Sequence, residues 1–420
     1  MIEVISKTPG VDPERFEVNG SQVHAEMQLE PMTRADWTTH EYNVHFCIGL
    51  RNVGKSSTDI TLSINGGQWD QLPDQSPLLY ASADATGTFT RTEIPARTDL
   101  KKQYCIKLSL ESGQEIYLAN TLVRQLPALS TDFDAIAALG QANRESIGRS
   151  LDGRDIIAYT YGDPAGQPTL LITSGFHPPE PDTLASTAIM ETLVEDKSFL
   201  SDFAVAVVPI ANPDGYAIGT QGSNAADINF YWHFARELPD QCPEAAALWR
   251  FAQRLMPRGY IDFHSYTFQL GKKPGPYQRP LFFYDSSAIK EAGADLYKKL
   301  NNYANSKSVV GFGTYAPHTL GSMLVDQYDT LTVAKYHLHL AEGEDACKKR
   351  GVHVFQELRD SLVKHGIDSP AQSRIPNWRQ AIRRSRAAWA GHLRPFIGNL
   401  RRGRLDQLFL PRTDQVDPHQ

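Results

Sequence analysis

Cysteine is scarce in this chain. Its four residues among 420, Cys47, Cys105, Cys242 and Cys347, lie far apart and form no Cys-x-x-Cys pair. They are too few to staple a chain of this size and read as reduced thiols in a cytoplasmic protein. No apolar run approaches the roughly 20 residues that a membrane span needs. The opening residues, MIEVISKTPG, lack a basic segment followed by an apolar core, so no secretory leader is expected. No repeat of solenoid period and no long low-complexity tract is found. Neither sign of charge dominates: 42 Lys and Arg against 48 Asp and Glu leave a formal net charge of −6. Such a balance gives no global pull toward nucleic acid or a membrane surface.

What is present suggests two domains and an extension. Residues 1–125 alternate apolar and polar in segments such as EYNVHFCIGLRNV, STDITLSIN and KQYCIKLSL, with NGGQ and ESGQ as turns. That pattern predicts a small antiparallel β-sandwich. Ser130 or Thr131 is the expected cap of a helix running through Leu139, followed by a glycine-containing loop. Residues 126–370 alternate strand-like runs with helical periods, which predicts an α/β fold with a largely parallel sheet covered on both faces. Residues 371–420 are Arg-rich with interleaved Trp, Phe and Leu. They predict an amphipathic helical extension packed on the second domain, in preference to a nucleic-acid or acidic-membrane patch.

In open α/β sheets, ligand sites lie beyond the carboxyl ends of the strands. His177, Asn212, His264 and Glu342 all fall at or just after the ends of strand-like runs, so the topology gathers them on one rim. In LLITSGFHPPE an apolar strand breaks at Ser174-Gly175, and His177 and Glu180 follow three residues apart. A His and a carboxylate so placed can share one divalent metal. A third ligand, a neutral imidazole, would leave a fourth position open for water, as in catalytic zinc sites. His264, in DFHSY, is the candidate, with Asp262 two residues earlier on the same strand face to orient its ring. NPDG, at 212–215, has the composition of a β-turn.

The ordered series IGRSLDGRDI, GFHPPE, PIANPDGY, ADINFYW and DFHSY resembles the zinc carboxypeptidase family related to carboxypeptidase A. The β-rich region ahead of it leans toward the cytosolic carboxypeptidase branch. The resemblance implies an α/β/α sandwich around a mixed eight-stranded sheet, and one zinc ion per chain on His177, Glu180 and His264. It implies Asn229 as the asparagine that holds a substrate carboxylate, and Tyr315 as the mobile substrate tyrosine. A glutamate at the end of a late strand should activate the zinc-bound water. In YHLHLAEGED that role falls to Glu342, one residue beyond strict register, with Glu344 the next acidic choice. His337 and His339, two apart on one strand face, read as strand packing or substrate contact.

Two arginines of the family pattern are missing. Phe230 stands where the carboxylate-binding arginine is expected, and YAIGTQGSNAA carries no arginine for the oxyanion. Replacement cations are expected at Arg236, with His233 beside it, or at Lys272, Lys273 and Arg279. The expected activity is therefore a zinc metallopeptidase or amide hydrolase with an atypical small peptide substrate. The alternatives are a deacylase of acyl-amino acids, similar to the aspartoacylase and desuccinylase branch, or a zinc-binding relative without catalysis. No nucleic-acid or membrane partner is expected, and the oligomeric state stays open.

Overall fold

The computed structural model describes residues 1–5, 11–27, 30–33, 39–42, 45–65, 78–85, 87–94, 96–98, 103–220, 222–234, 240–266, 281–283, 287–304 and 318–367. Two five-stranded sheets make up most of the N-terminal region, accompanied by the hairpin Glu30–Thr33 with Thr39–Tyr42. In the first sheet Cys47–Asn52 lies between Ile2–Ile5 and Glu115–Ala119; in the second Thr58–Asn65 lies between Gln103–Leu110 and Gln22–Met27. Alternate residues, among them Ile48, Leu50, Leu62, Ile64, Ile106 and Leu118, meet in one buried cluster. The period-2 pattern thus reports a sheet-on-sheet core.

The second region is built on a seven-stranded sheet among the described residues, where eight strands were expected. Its strands are β1 (Asn143–Arg149), β2 (Asp155–Tyr161), β3 (Thr169–Thr173), β4 (Ala204–Val208), β5 (Gly259–Tyr266), β6 (Leu281–Phe283) and β7 (Leu331–His339), in the order β1-β2-β4-β3-β5-β7-β6. The central four, β4-β3-β5-β7, are parallel, and β1, β2 and β6 join antiparallel. β3 and β4 are buried along their whole length, which is why LLIT and AVAVV read as unbroken apolar runs. Ile172, Val205, Val207, Ile261 and Phe263 face one core cluster, and Leu171, Ala206, Val208 and Tyr260 face the other.

The helices are α1 (Leu126–Gly140), α2 (Thr183–Glu195), α3 (Pro213–Ile218), α4 (Pro243–Leu255), α5 (Ser287–Ala304), α6 (Leu320–Tyr328) and α7 (Glu344–Lys364). Three local expectations are corrected. α1 begins at Leu126, ahead of Ser130 and Thr131, because Pro127 in its first turn is preset for helical φ and needs no donor there. Strand β1, not a loop, follows it. NPDG opens α3 instead of forming an isolated turn: Asn212 caps it by accepting from the backbone N–H of Gly215 at 2.9 Å.

The two regions share apolar contacts. Cys47, Tyr80, Phe89, Tyr117 and Leu122 pack in the same buried cluster as residues of α1, α2 and β3. The Arg-rich segment 371–420 lies outside the described residues. No helix among those described is long and apolar enough to cross a membrane.

Candidate metal centre

β3 ends at Thr173 and the chain turns at Gly175, whose φ of 66° a side chain would strain. A Cβ there would stand 2.7 Å from the carbonyl of Pro209. The turn is fixed from both sides. Ala211 N–H donates to Ser174 O at 3.1 Å, Asn212 N–H to Gly175 O at 2.9 Å, and Gly175 N–H to both carboxylate oxygens of Asp182. Burial pushes the Asp182 carboxyl well above the usual range, and the nearby Glu180 charge adds to the effect. Glu180 N–H closes back on His177 O at 2.9 Å, which sets the two side chains side by side.

β5 runs parallel to β3 and delivers His264 to the same place. His177 Nδ1 lies 2.9 Å from Glu180 Oε1, and His264 Nδ1 lies 3.0 Å from Glu180 Oε2. The two rings are 5.0 Å apart, and one ligand atom from each of the three residues falls within 4.8 Å of the others. The backbone N–H of Ser265 donates to Glu180 Oε2 at 2.8 Å. On its far side His264 turns Nε2 toward Asp262 Oδ1 at 3.1 Å, and the Tyr231 hydroxyl donates to Asp262 Oδ2 at 2.9 Å. A proton held on Nε2 leaves the Nδ1 lone pair facing Glu180.

The electrostatics fit a cation. Burial alone would lower the His264 pKa, but the Glu180 and Asp262 carboxylates raise it to about 10. Burial would likewise raise Glu180, yet His177 and His264 hold it well below the usual carboxylate range. Surroundings that favour positive charge between buried groups this strongly suit a dication. The donor set of two imidazole nitrogens and a carboxylate is that of catalytic zinc sites.

His177 is seated by a glycine. A Cβ on Gly222 would fall 2.6 Å from His177 Cδ2, so the ring lies directly against the loop backbone. Asn212, fully buried, ties the two together: its Nδ2 donates to Phe176 O at 3.2 Å and to Ser223 O at 3.1 Å. Asp214, also in NPDG, accepts from Ser150 Oγ at 2.6 Å, Arg154 at 2.6 Å and the backbone N–H of Asp152 at 2.9 Å. That clamp accounts for the pairing of GRSLDGRD with NPDG in the sequence.

The other expected residues are placed as follows. Asn229 is buried and caps the 3-10 turn Phe230–Trp232 through Tyr231 N–H at 3.3 Å. Phe230 is 1% exposed and packs against Phe176 and Phe234, with ring centroids at 5.7 and 6.4 Å. Its ring therefore belongs to the core under the site. Glu342 ends the 3-10 turn Leu340–Glu342, and Arg350 of α7 donates to it at 2.8 Å. His337 pairs in register with His264, ring centroids 5.5 Å apart, and His339 pairs with Tyr266. Arg236, Lys272, Lys273, Arg279 and Tyr315 lie outside the described residues. Sequence reading missed Tyr231 and Gly222. Their only signals were proximity to DIN and to a glycine-containing loop.

Residues 140–345 match the family model described as zinc carboxypeptidase. No curated protein matches the chain. Among solved structures the chain is similar to a metallo-carboxypeptidase from Burkholderia cenocepacia, at 16% identity and a TM-score of 0.67, covering 87% of this chain and 100% of that one. It is also similar to a metallo-carboxypeptidase from Pseudomonas aeruginosa in complex with (2-guanidinoethylmercapto)succinic acid, at 14% identity and a TM-score of 0.67, covering 87% and 99%. At these identities the likeness is one of fold, and it extends beyond the span of the family model into the N-terminal region. The fold, the match of residues 140–345 to the zinc carboxypeptidase family and a His-Glu-His group able to hold a metal agree on one reading: the chain is a zinc metallohydrolase.

Proposed function

We propose that the chain is a peptidase or amide hydrolase of the metallocarboxypeptidase type, with a β domain over residues 1–125 and a catalytic domain over 126–370. The observation that carries this reading is the convergence of His177 Nδ1, His264 Nδ1 and both oxygens of Glu180 at about 3 Å. Zinc bound there supplies a Lewis acid and makes water a nucleophile near neutral pH. The protein's part is to fix the donors, through Asp262 and Tyr231 on one side and Gly222 and Asn212 on the other. Glu342, which accepts from Arg350 at 2.8 Å, is the proposed proton acceptor.

The substrate is proposed to be atypical. A terminal carboxylate buried without a cation costs several kcal/mol in effective terms. Phe230 stands in the expected arginine's place in the sequence, and its apolar ring supports this reading. The cytoplasmic setting is proposed from four cysteines that form no disulfide with one another.

Matched peptides that differ only in a free or an amidated C-terminus test the proposal, with N-acyl amino acids as a third arm. Amide cleavage at least as fast as cleavage of the free acid is expected. A large preference for the free acid overturns the atypical-substrate reading, and exclusive cleavage of N-acyl amino acids reassigns the enzyme as a deacylase.

A further inference from the structure

Among the described residues, a hydrogen bond joins the metal-ligand turn to the N-terminal β region. Thr121 follows the strand Glu115–Ala119 and is 1% exposed. Its hydroxyl donates to the carbonyl of Pro179 at 2.7 Å. Pro179 lies directly before Glu180 in the turn that begins at His177. Pro178 and Pro179 have no N–H, so the turn has few backbone donors with which to hold itself. A buried carbonyl needs a partner, and this one receives it from outside the residues that match the family.

Thr121 is itself anchored. Asn120, buried beside it, accepts from Phe46 N–H at 2.9 Å, meets His45 Nδ1 at 3.1 Å, and donates from Nδ2 to the Tyr104 hydroxyl at 3.3 Å. Those partners belong to or border the β core, where Phe46 and Tyr104 stack edge to face at 5.0 Å. A continuous strut thus runs from that core through Asn120 and Thr121 to Pro179. A small cavity beside it is lined by His45, Cys47, Thr121, Arg124, Pro178 and Pro179, among others.

We propose that Thr121 is a positioning residue for the zinc site, through which the N-terminal β region holds the His177–Glu180 turn in its ligating shape. The inference rests on the assignment of His177, Glu180 and His264 as the ligands. Loss of a group that orients ligands from behind typically costs about 10–100-fold in metal affinity. Thr121→Val keeps the volume and removes the donor; Thr121→Ser keeps the donor.

The test is the zinc dissociation constant of the full chain and its variants, read beside the melting temperature of the metal-free protein. Thr121→Val should bind zinc about tenfold more weakly, and Thr121→Ser should bind like the unaltered protein. Unchanged zinc affinity in Thr121→Val, even with a lowered melting temperature, makes the hydroxyl merely structural and overturns the proposal. Equal weakening in Thr121→Ser overturns it too, since the donor is then not what matters. Should Thr121→Val fail to fold, Thr121→Ala takes its place under the same two outcomes, since it too removes the donor. His177→Ala measured alongside separates the two claims. Normal zinc binding there sinks the ligand assignment, whereas its loss with normal binding in Thr121→Val sinks the strut alone.

Discussion

Asp262 and His264 lie on one face of β5, with Oδ1 and Nε2 3.1 Å apart, and the other carboxylate oxygen of Asp262 accepts a hydrogen bond from the Tyr231 hydroxyl. The pair decides which nitrogen of His264 carries a proton and therefore which one is offered to a metal. Removal of a carboxylate behind a ligating histidine costs about 10–100-fold in metal affinity. Asp262→Asn should weaken zinc binding by that factor and Tyr231→Phe by less, near tenfold at most, because only one hydrogen bond of about 1 kcal/mol is lost. Zinc titration against a competing chelator reads both; unchanged affinity in Asp262→Asn refutes the role.

His177→Ala should reduce bound zinc from about one ion per chain to a trace and abolish hydrolysis, since two protein donors fall short of the three that hold a catalytic zinc. Elemental analysis of the purified variant checks this. Equal zinc content in variant and unaltered protein removes His177 from the ligand set.

Gly222→Ala tests the seat of the His177 ring. The added methyl would stand 2.6 Å from Cδ2, so ring or loop must shift. Overpacking of this kind costs about 1–3 kcal/mol. A drop in zinc affinity of tenfold or more is expected while far-ultraviolet circular dichroism stays unchanged. Normal affinity would show that the loop, not the ring, gives way.

The proton acceptor is separable from the ligands. Glu342→Gln should keep full zinc content and lose hydrolysis by at least ~100-fold, the lower end of what general-base catalysis contributes. Retained activity in Glu342→Gln with loss in Glu344→Gln would move the role to Glu344, at the start of α7.

Stability should depend on pH through His45. Burial lowers its pKa to about 4 from 6.5, against a smaller opposing effect of the Asn120 hydrogen bond. The unfolded chain therefore binds the extra proton between those values and the folded one does not. The contribution is fully present above about pH 6.5 and is lost as pH falls toward 4, by up to about 3 kcal/mol. Urea unfolding near pH 7.5 and near pH 4.5 should show a smaller pH loss in His45→Gln than in the unaltered protein. The same loss in both would exclude His45 as its source.

Some of this protein was set by local order alone. Alternation in STDITLSIN and the unbroken AVAVV each have one physical solution, a half-buried and a fully buried strand, and both formed. His177 and Glu180 are three residues apart on one turn, so their pairing needed no distant partner. His264 could be matched because the parallel neighbours β3 and β5 end on the same rim. Tertiary structure decided the rest. Gly222 meets His177 across 45 residues, Thr121 meets Pro179 across 58, and Phe230 turns into the core because Phe176 and Phe234 are there to receive it. Contacts between segments so far apart depend on how the sheets are stacked, and no spacing or periodicity in the chain encodes them.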